Sequence, residues 1–438
     1  MCPSNAGAAG DSPSPNVSTS IPAAIPSEDV LLQRELDRVP REVLAHVVDV
    51  HCHPTDSDFG MTSEFVKELP VRICAMSTRR SDQEPVAKLA RAHPEKVIPC
   101  FGYHPWFYHW ISLEPSSKEA HYRALFLPAS PPPKPEHVSA FEKLLPFLPE
   151  PTPLSEVITD VRARLTAFPH AMLGEVGIDR VCRIPYSYPA DPPYASSYND
   201  GGDGGDREGG SRELSPFTIP LEHQLAILEA QLALAVELKR NVSLHSVKCQ
   251  QATGELLDRM KTRFGAAWLR ISIDLHSCGL SAQTWQQISV RLVSPPSQNH
   301  YSYSVESPGL TLGTSSQKRH PNVFLSLSTA INARSPAHKA LAAACAPDRI
   351  LVESDFHDVR RSAPYTWHML CTVAAVKGWR VEDKWEYAPD AEEEEWGAVR
   401  RFEENWRLFE RGRHEELVTK KRRRDRAIEE WEASVEDD

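Results

Sequence analysis

The sequence predicts a (β/α)8 TIM-type barrel with long low-complexity loop insertions, and three observations support this fold class. Short apolar segments recur along the chain, and most of them end at a histidine or an acidic residue. Stretches with helical periodicity fill most of the gaps, and an alternation of strand and helix is typical of a parallel sheet. Eight such units with polar residues at the strand ends indicate a closed barrel, in which active sites lie at the carboxyl-terminal rim.

Five of the predicted strands deliver a metal-competent side chain at or near their carboxyl end. Along the first of them, residues i and i+2 face the same way, so the imidazoles of His51 and His53 can contact one cation. The five segments are 45–50, 171–174, 241–244, 271–275 and 349–352, which run into His51-Cys52-His53, Glu175, His245, His276 and Glu353-Ser354-Asp355, respectively.

The three remaining predicted strands lead into residues that are not among the candidate metal ligands, and helices are predicted between the strands. The strands are 72–76, 97–102 and 323–327, leading into Ser77, Tyr103-His104-Pro105 and Ser328. The predicted helices are 62–69, 82–93, about 154–167, 220–239, 250–263, 281–291 and 336–345.

The chain has 438 residues, whereas a single barrel typically needs about 250. The surplus is predicted to lie in low-complexity segments rather than in a second core. We expect a disordered Ser/Pro/Ala/Gly-rich arm at 1–40, the barrel at 41–411 and a charged tail at 412–438. Within the barrel, the predicted insertions are about 126–153, 183–216 and 293–322.

Composition narrows the class of protein and its compartment. A hydrophobic content of 41% and a charged content of 25% fit a globular protein, and a net charge of −11 argues against general coating of nucleic acid. The nine cysteines contain no Cys-x-x-Cys pair. Their odd number and their position, mostly inside predicted strands and helices, predict reduced thiols in an intracellular compartment, the cytoplasm and/or the nucleus. The start of the chain shows no signal peptide, and acidic residues interrupt the most apolar helix, 221–238, so we expect no membrane span.

The basic run Lys420–Arg424 stands out in the charged tail. It fits a nuclear-localisation signal, an arm that contacts phosphate, or the solvated face of a terminal helix.

Six residues make the strongest candidates for metal ligands. One catalytic ion needs about three protein ligands, so six suit two ions that share a bridging carboxylate. Two ions about 3.5–4 Å apart can stabilise the entering and the leaving oxygen of a displacement. Imidazole-rich ligand sets favour zinc or manganese, while the carboxylates also allow magnesium. The candidates are His51, His53, Glu175, His245, His276 and Asp355.

The order of these motifs resembles the TatD family of metal-dependent hydrolases. This family consists of (β/α)8 proteins of the amidohydrolase superfamily, many of them deoxyribonucleases. The insertions resemble the fungal branch, some of whose members are described as partners of an anaphase-promoting-complex subunit. The resemblance covers about 45–379 and extends to a helix at 396–409. It rests on His51-x-His53, Gly102-Tyr-His-Pro105, Gly174-Glu-Val-Gly-Ile-Asp179, Leu244-His-Ser246, Leu275-His276 and Glu353-Ser-Asp355.

The resemblance implies a role for each ligand. His51, His53 and Asp355 would hold one ion, His245 and His276 the other, with Glu175 as the bridge. Asp355 would also orient or deprotonate the attacking water, and His104 would line the substrate pocket. The chain departs from the family pattern at positions that concern substrate contacts, namely Ser246-Val-Lys248, His276-Ser-Cys-Gly279 and Phe356-His357.

Three functions follow as expectations. The first is hydrolysis of phosphodiesters, exonucleolytic on DNA, by a binuclear centre. The second is hydrolysis of an ester or amide outside nucleic acid by the same site. The third is an interaction or scaffold protein that retains the metal site and binds a protein partner, by resemblance a subunit of the anaphase-promoting complex, through its insertions or tail.

Overall fold

The computed structural model describes residues 27–56, 59–187, 213–292, 316–318, 320–386 and 392–415. Eight parallel strands form one sheet in which each strand pairs with the next along the chain. Asp355 N donates to His51 O over 2.9 Å, which brings the end of the last strand to the first and nearly closes the barrel. The strands are β1 (Val48–Cys52), β2 (Arg72–Met76), β3 (Val97–Phe101), β4 (Met172–Asp179), β5 (Val242–Val247), β6 (Ile273–Leu275), β7 (Val323–Ser328) and β8 (Ile350–Glu353).

Helices surround this sheet, and all seven predicted helices are present, six of them with ends shifted by one to three residues. The helix at 398–411 lies where the resemblance extends to 396–409. The helices are α1 (Glu28–Leu36), α2 (Arg41–Leu44), α3 (Phe59–Glu68), α4 (Arg80–Ala92), α5 (Lys118–Phe126), α6 (Pro135–Leu144), α7 (Leu154–Ala167), α8 (Leu221–Leu238), α9 (Gln250–Phe264), α10 (Ala282–Ser289), α11 (Ala337–Ala344), α12 (Val359–Lys377) and α13 (Ala398–Arg411). None of the helices in the described part of the chain is long and apolar enough to cross a membrane.

Two segments differ from the expected low-complexity regions. α1 lies inside the predicted disordered arm 1–40, and it buries Leu32 and Leu36. α6 lies inside the predicted insertion 126–153, and its Phe141 and Leu144 are fully buried. Both helices are stabilised by packing of a few apolar residues against the barrel, which composition alone does not reveal.

The other predicted insertions are described only at their bases. Strand Arg183–Pro185 pairs with Leu214–Thr218, and strand Val290–Leu292 pairs with Ser316–Lys318. Residues 188–212 and 293–315 lie outside the described residues, as does the tail from 416 onward with the basic run at 420–424.

The amino-terminal end of the barrel is closed by α13. Trp406 and Phe409 join the cluster of apolar side chains inside the barrel. Asn405 Nδ2 donates to Ile350 O over 2.8 Å, and Asn241 Nδ2, just before β5, donates to Phe409 O over 2.8 Å. The carboxyl ends of the strands, at the opposite end, are therefore available for a site.

Two strands carry a one-residue bulge, and each bulge contains a predicted ligand. On β1, Asp49 pairs with Ile73 but Cys52 pairs with Ala75, so β1 has one extra residue around His51. On β4, Leu173 pairs with Val242 and Val176 with Leu244, which places the extra residue around Glu175. A bulge interrupts the alternation of faces and redirects a side chain.

Candidate metal centre

The six predicted ligands converge at the carboxyl ends of the strands, around the buried carboxylate of Glu175. Oε1 of Glu175 lies 3.1 Å from His245 Nδ1 and 3.0 Å from His276 Nε2. Oε2 lies 3.2 Å from His53 Nε2 and 3.7 Å from His51 Nε2. Each oxygen of one carboxylate therefore faces its own pair of imidazoles.

Asp355 lies with the first pair. Its Oδ1 is 3.8 Å from His51 Nε2 and 3.7 Å from His53 Nε2. Asp355 therefore lies beside the two histidines that the resemblance assigns to the same ion. Glu353 also lies within ligand distance of His51 and His276, and the sequence motif gave it no role.

The spacing of these donors fits divalent cations. His51 Nε2 and His53 Nε2 are 3.2 Å apart, and His245 Nδ1 and His276 Nε2 are 3.1 Å apart. Two nitrogens bound to a tetrahedral ion at about 2.0–2.1 Å are themselves about 3.3 Å apart. Glu175 Oε2 is buried without a well-directed hydrogen bond among the described residues, as expected of an oxygen placed for a cation.

The opposite ring nitrogens of three histidines face polar groups that fix the orientation of the rings. His51 Nδ1 lies 2.8 Å from Ser243 Oγ, and His245 Nε2 lies 3.5 Å from Asp179 Oδ2. His276 Nδ1 lies 3.7 Å from Glu353 Oε1. Such contacts orient metal-binding imidazoles and raise their basicity.

Asp179 ends the motif Gly174-Glu-Val-Gly-Ile-Asp179, and the sequence alone predicts no role for it. Its Oδ2 accepts from Trp106 Nε1 over 2.8 Å, and its Oδ1 accepts from Val181 N over 2.7 Å. Burial by itself would raise the pKa of Asp179, but the hydrogen bond and charge of His245 and the bond from Trp106 lower it to about 2. The signal was present in the sequence, since Asp179 and Glu175 are four residues apart on one strand.

His104 donates a hydrogen bond at this site and is a poor metal ligand. Its Nδ1 accepts from Trp106 N over 3.1 Å, so the neutral ring carries its proton on Nε2. Burial, together with the charge of His245, lowers the pKa of His104 to about 4, so the ring is neutral near pH 7. The protonated Nε2 lies 3.1 Å from Glu175 Oε1 and cannot also offer a lone pair to a cation.

A second layer of acids lies below the ligands. Ser326 Oγ is 2.7 Å from Asp274 Oδ2 and 2.6 Å from Glu353 Oε2. One hydroxyl has one proton to donate, so one of the two carboxyls must itself be protonated. Burial and the charge of Glu353 raise the pKa of Asp274 to about 8, which favours its protonated form near pH 7.

A cavity of about 260 Å³ opens above the cluster. Its floor is polar, and its rim includes apolar side chains from several loops. The lining residues are His53, His104, Trp106, Glu175, Asp179, Val181, His245, Ser246, Val247, His276, Ser277, Ile331, Asp355 and His357.

The sequence of this chain is similar to those of known proteins. The family model described as TatD related DNase matches residues 48–390. The chain is 30% identical over 348 residues to the Cut9-interacting protein scn1 of Schizosaccharomyces pombe, covering 77% of this chain and 94% of that protein. It is 24% identical over 242 residues to the uncharacterized deoxyribonuclease YMR262W of Saccharomyces cerevisiae, covering 54% of this chain and 68% of that protein.

Among solved structures, the TatD homologue YJJV of Escherichia coli K12 is similar, with a TM-score of 0.43 and 14% identity, covering 84% of this chain and 98% of that one. The fold assignment rests on the strand order of the barrel, and the family assignment rests on the sequence matches. The family match over residues 48–390 and the 30% identity to scn1 show that the chain belongs to the TatD-related DNase family of metal-dependent hydrolases.

Proposed function

We propose that this protein hydrolyses phosphodiester bonds of DNA at a binuclear centre built around Glu175. The proposal rests on the placement of the two carboxylate oxygens of Glu175. Oε1 faces His245 and His276, and Oε2 faces His51 and His53. Divalent cations held by these residues would lower the pKa of a water molecule and neutralise negative charge on the phosphoryl oxygens.

Each ligand has a place in this proposal. His51, His53 and Asp355 would hold one cation, His245 and His276 would hold the other, and Glu175 would be shared between them. Four imidazoles favour zinc or manganese, while magnesium remains compatible with the two carboxylates.

Asp355 is the proposed acceptor of the proton from the attacking water. An ionised carboxylate beside the reacting water can take its proton, an effect that typically contributes about 10²–10⁴-fold. His104 lines the substrate pocket, where its Nε2 proton faces Glu175 Oε1.

The test is turnover of a 3′-labelled single-stranded oligonucleotide by the purified protein with zinc, manganese or magnesium. Asp355→Asn keeps one oxygen ligand but accepts a proton poorly, so it should retain most of the metal and lose at least about a hundredfold in rate, or about 2.7 kcal/mol in barrier. Asp160→Asn, which removes a surface acid paired with Arg164, is the matched control. An Asp355→Asn protein with both metals and the normal rate would exclude the proposed role of Asp355.

A second candidate is hydrolysis of an ester or amide outside nucleic acid. The departures at Ser246-Val-Lys248 and Phe356-His357 support it, because Ser246, Val247 and His357 line the cavity. A panel of phosphodiesters, carboxylic esters and amides assayed with the same preparation distinguishes the two reactions.

The third candidate is a protein-interaction role. The fission-yeast relative is named for an interaction with Cut9, and it is 30% identical to this chain. A similar partner, with residence in the cytoplasm or nucleus, is proposed for this protein. Turnover by the purified chain on none of the three substrate classes, together with specific binding of such a partner, would favour this role.

A further inference from the structure

We propose that the rim of the cavity contains an apolar subsite for a flat aromatic group, such as a nucleobase, joined to the scissile phosphodiester. This inference rests on the proposed phosphodiester hydrolysis and adds how the neighbouring part of the substrate is recognised.

The first observation is the exposure of two aliphatic side chains at the cavity. Val181 is 54% exposed and Ile331 is 36% exposed, and both line the cavity. Exposed aliphatic side chains grouped around a polar floor mark a surface that contacts an apolar ligand group.

These side chains stand on two walls. Trp106, Val181 and Val247 come from the ends of β3, β4 and β5, which are neighbouring strands. The wall is continuous, since Trp106 Nε1 donates to Asp179 and Arg180 N donates to Val247 O over 3.2 Å. Ile331 follows β7 and stands on the other side of the cluster.

Trp106 is already oriented before any substrate binds. Its indole nitrogen is held by Asp179 Oδ2 at 2.8 Å, and its ring meets the ring of His104 edge to face, with centroids 4.9 Å apart. A ring held in this way loses little conformational entropy on binding a flat partner.

The charge of the cavity supports the same conclusion. Among the described residues that line it there is no lysine or arginine, so those residues form no cationic track for neighbouring backbone phosphates. Sequence-independent binding of single strands combines such a track with stacking of bases on apolar and aromatic side chains. The described lining residues offer an apolar and aromatic surface for stacking but no row of cationic side chains. This combination points to recognition of the group next to the scissile bond.

The experiment compares two pairs of substrates that differ only in the flat group. The first pair is bis(4-nitrophenyl) phosphate and methyl 4-nitrophenyl phosphate, corrected for their uncatalysed rates. The second pair is a single-stranded oligonucleotide with a base or an abasic residue at the cleaved position. We expect kcat/KM to be roughly tenfold higher for the member with the flat group, as stacking on one base provides.

Val181→Ser and Ile331→Ser should each reduce that preference, mainly by raising KM for the flat substrate. Neither residue is in the metal cluster, so the loss should be larger on the flat substrate than on the methyl diester. Leu113→Ser is the matched control, because Leu113 is 43% exposed and lies outside the cavity lining.

The outcomes separate the two proposals. No hydrolysis of either pair would contradict the proposed phosphodiesterase function, and the subsite with it. Hydrolysis without preference in both pairs, or equal losses on both members in Val181→Ser, would overturn the subsite alone.

Discussion

Ser277 Oγ lies 2.7 Å from Asp355 Oδ2, and both residues have left-handed backbone conformations, with φ of 39° and 51°. Such conformations are uncommon for residues other than glycine and are retained at functional sites when the surrounding structure enforces them. Ser277 is held by Glu353, which accepts from the Ser277 amide over 2.7 Å. Ser277 thereby fixes one oxygen of Asp355 while the other faces His51 and His53.

Removing this hydroxyl should slow turnover without loss of metal. We expect Ser277→Ala to lower kcat about tenfold, equivalent to about 1.4 kcal/mol, with little change in KM. Ser277→Gly should be equally slow, since it relieves the backbone but still lacks the hydroxyl. Ser281→Ala, a nearby exposed serine, is the control. A normal rate in Ser277→Gly would mean that the backbone conformation and not the hydroxyl matters.

Metal content should respond to the ligands and not to His104. The protein should bind close to two divalent ions, with His51→Ala and His276→Ala each losing one preferentially. His104→Ala should keep both, because Nδ1 of His104 accepts from Trp106 and Nε2 carries the proton. Elemental analysis of the four proteins decides this, and an equal loss in His104→Ala would show that the assigned tautomer is wrong.

Gly177 is required by the close approach of β4 and β5. A Cβ at this position would clash with the carbonyl oxygen of His245, so Gly177→Ala should force the two strands apart. We expect a loss of about 1–3 kcal/mol in the free energy of unfolding, as for other overpacked sites, together with weaker metal binding. Gly254→Ala on α9 has no atom within 4 Å of the added Cβ and should be neutral or stabilising. Equal behaviour of the two variants in urea unfolding would contradict this account.

The buried imidazole of His109 should make the protein sensitive to acid. Burial, with the charges of His121 and His223, lowers the pKa of His109 to about 3 from 6.5. The folded state therefore favours the neutral imidazole. The free energy of unfolding is unaffected by His109 above pH 6.5, and it declines as the pH falls from 6.5 towards 3, because only the unfolded chain binds the proton in this range.

Between pH 7.5 and 5, the free energy of unfolding of the natural chain should fall by about 2 kcal/mol more than that of His109→Gln, since the loss is about 1.4 kcal/mol per pH unit below 6.5. His170→Gln, at an exposed histidine, should follow the natural chain. Urea unfolding across this pH range provides the measurement, and parallel curves for His109→Gln and the natural chain would exclude the effect.

The packing of α1 should contribute to stability even though it lies in the predicted arm. Leu36 is 5% exposed within the main core, so Leu36→Ala should cost about 2–3 kcal/mol in the free energy of unfolding. Leu31→Ala on the same helix removes a side chain that is 44% exposed and should cost much less. Similar, small losses in both variants would support a disordered segment up to residue 40.

The sequence by itself determined the barrel and its candidate ligands. Apolar segments followed by polar residues predicted the eight strands, because strands buried on both faces are nearly continuous apolar runs and the rim collects their carboxyl ends. The same rule brought His51, His53, Glu175, His245, His276 and Asp355 together, as the structure shows.

Only the tertiary structure decided how these groups face one another. The bulges at His51 and Glu175 depend on pairing with β2 and β5, and no local periodicity encodes an extra residue in one strand. The contact of Ser277 with Asp355 is a hydrogen bond between residues 78 apart in sequence, whereas the proton position on His104 is set locally, by the amide of Trp106. α1 and α6 form because a few apolar residues find the core, a long-range contact whose energy the local sequence does not contain.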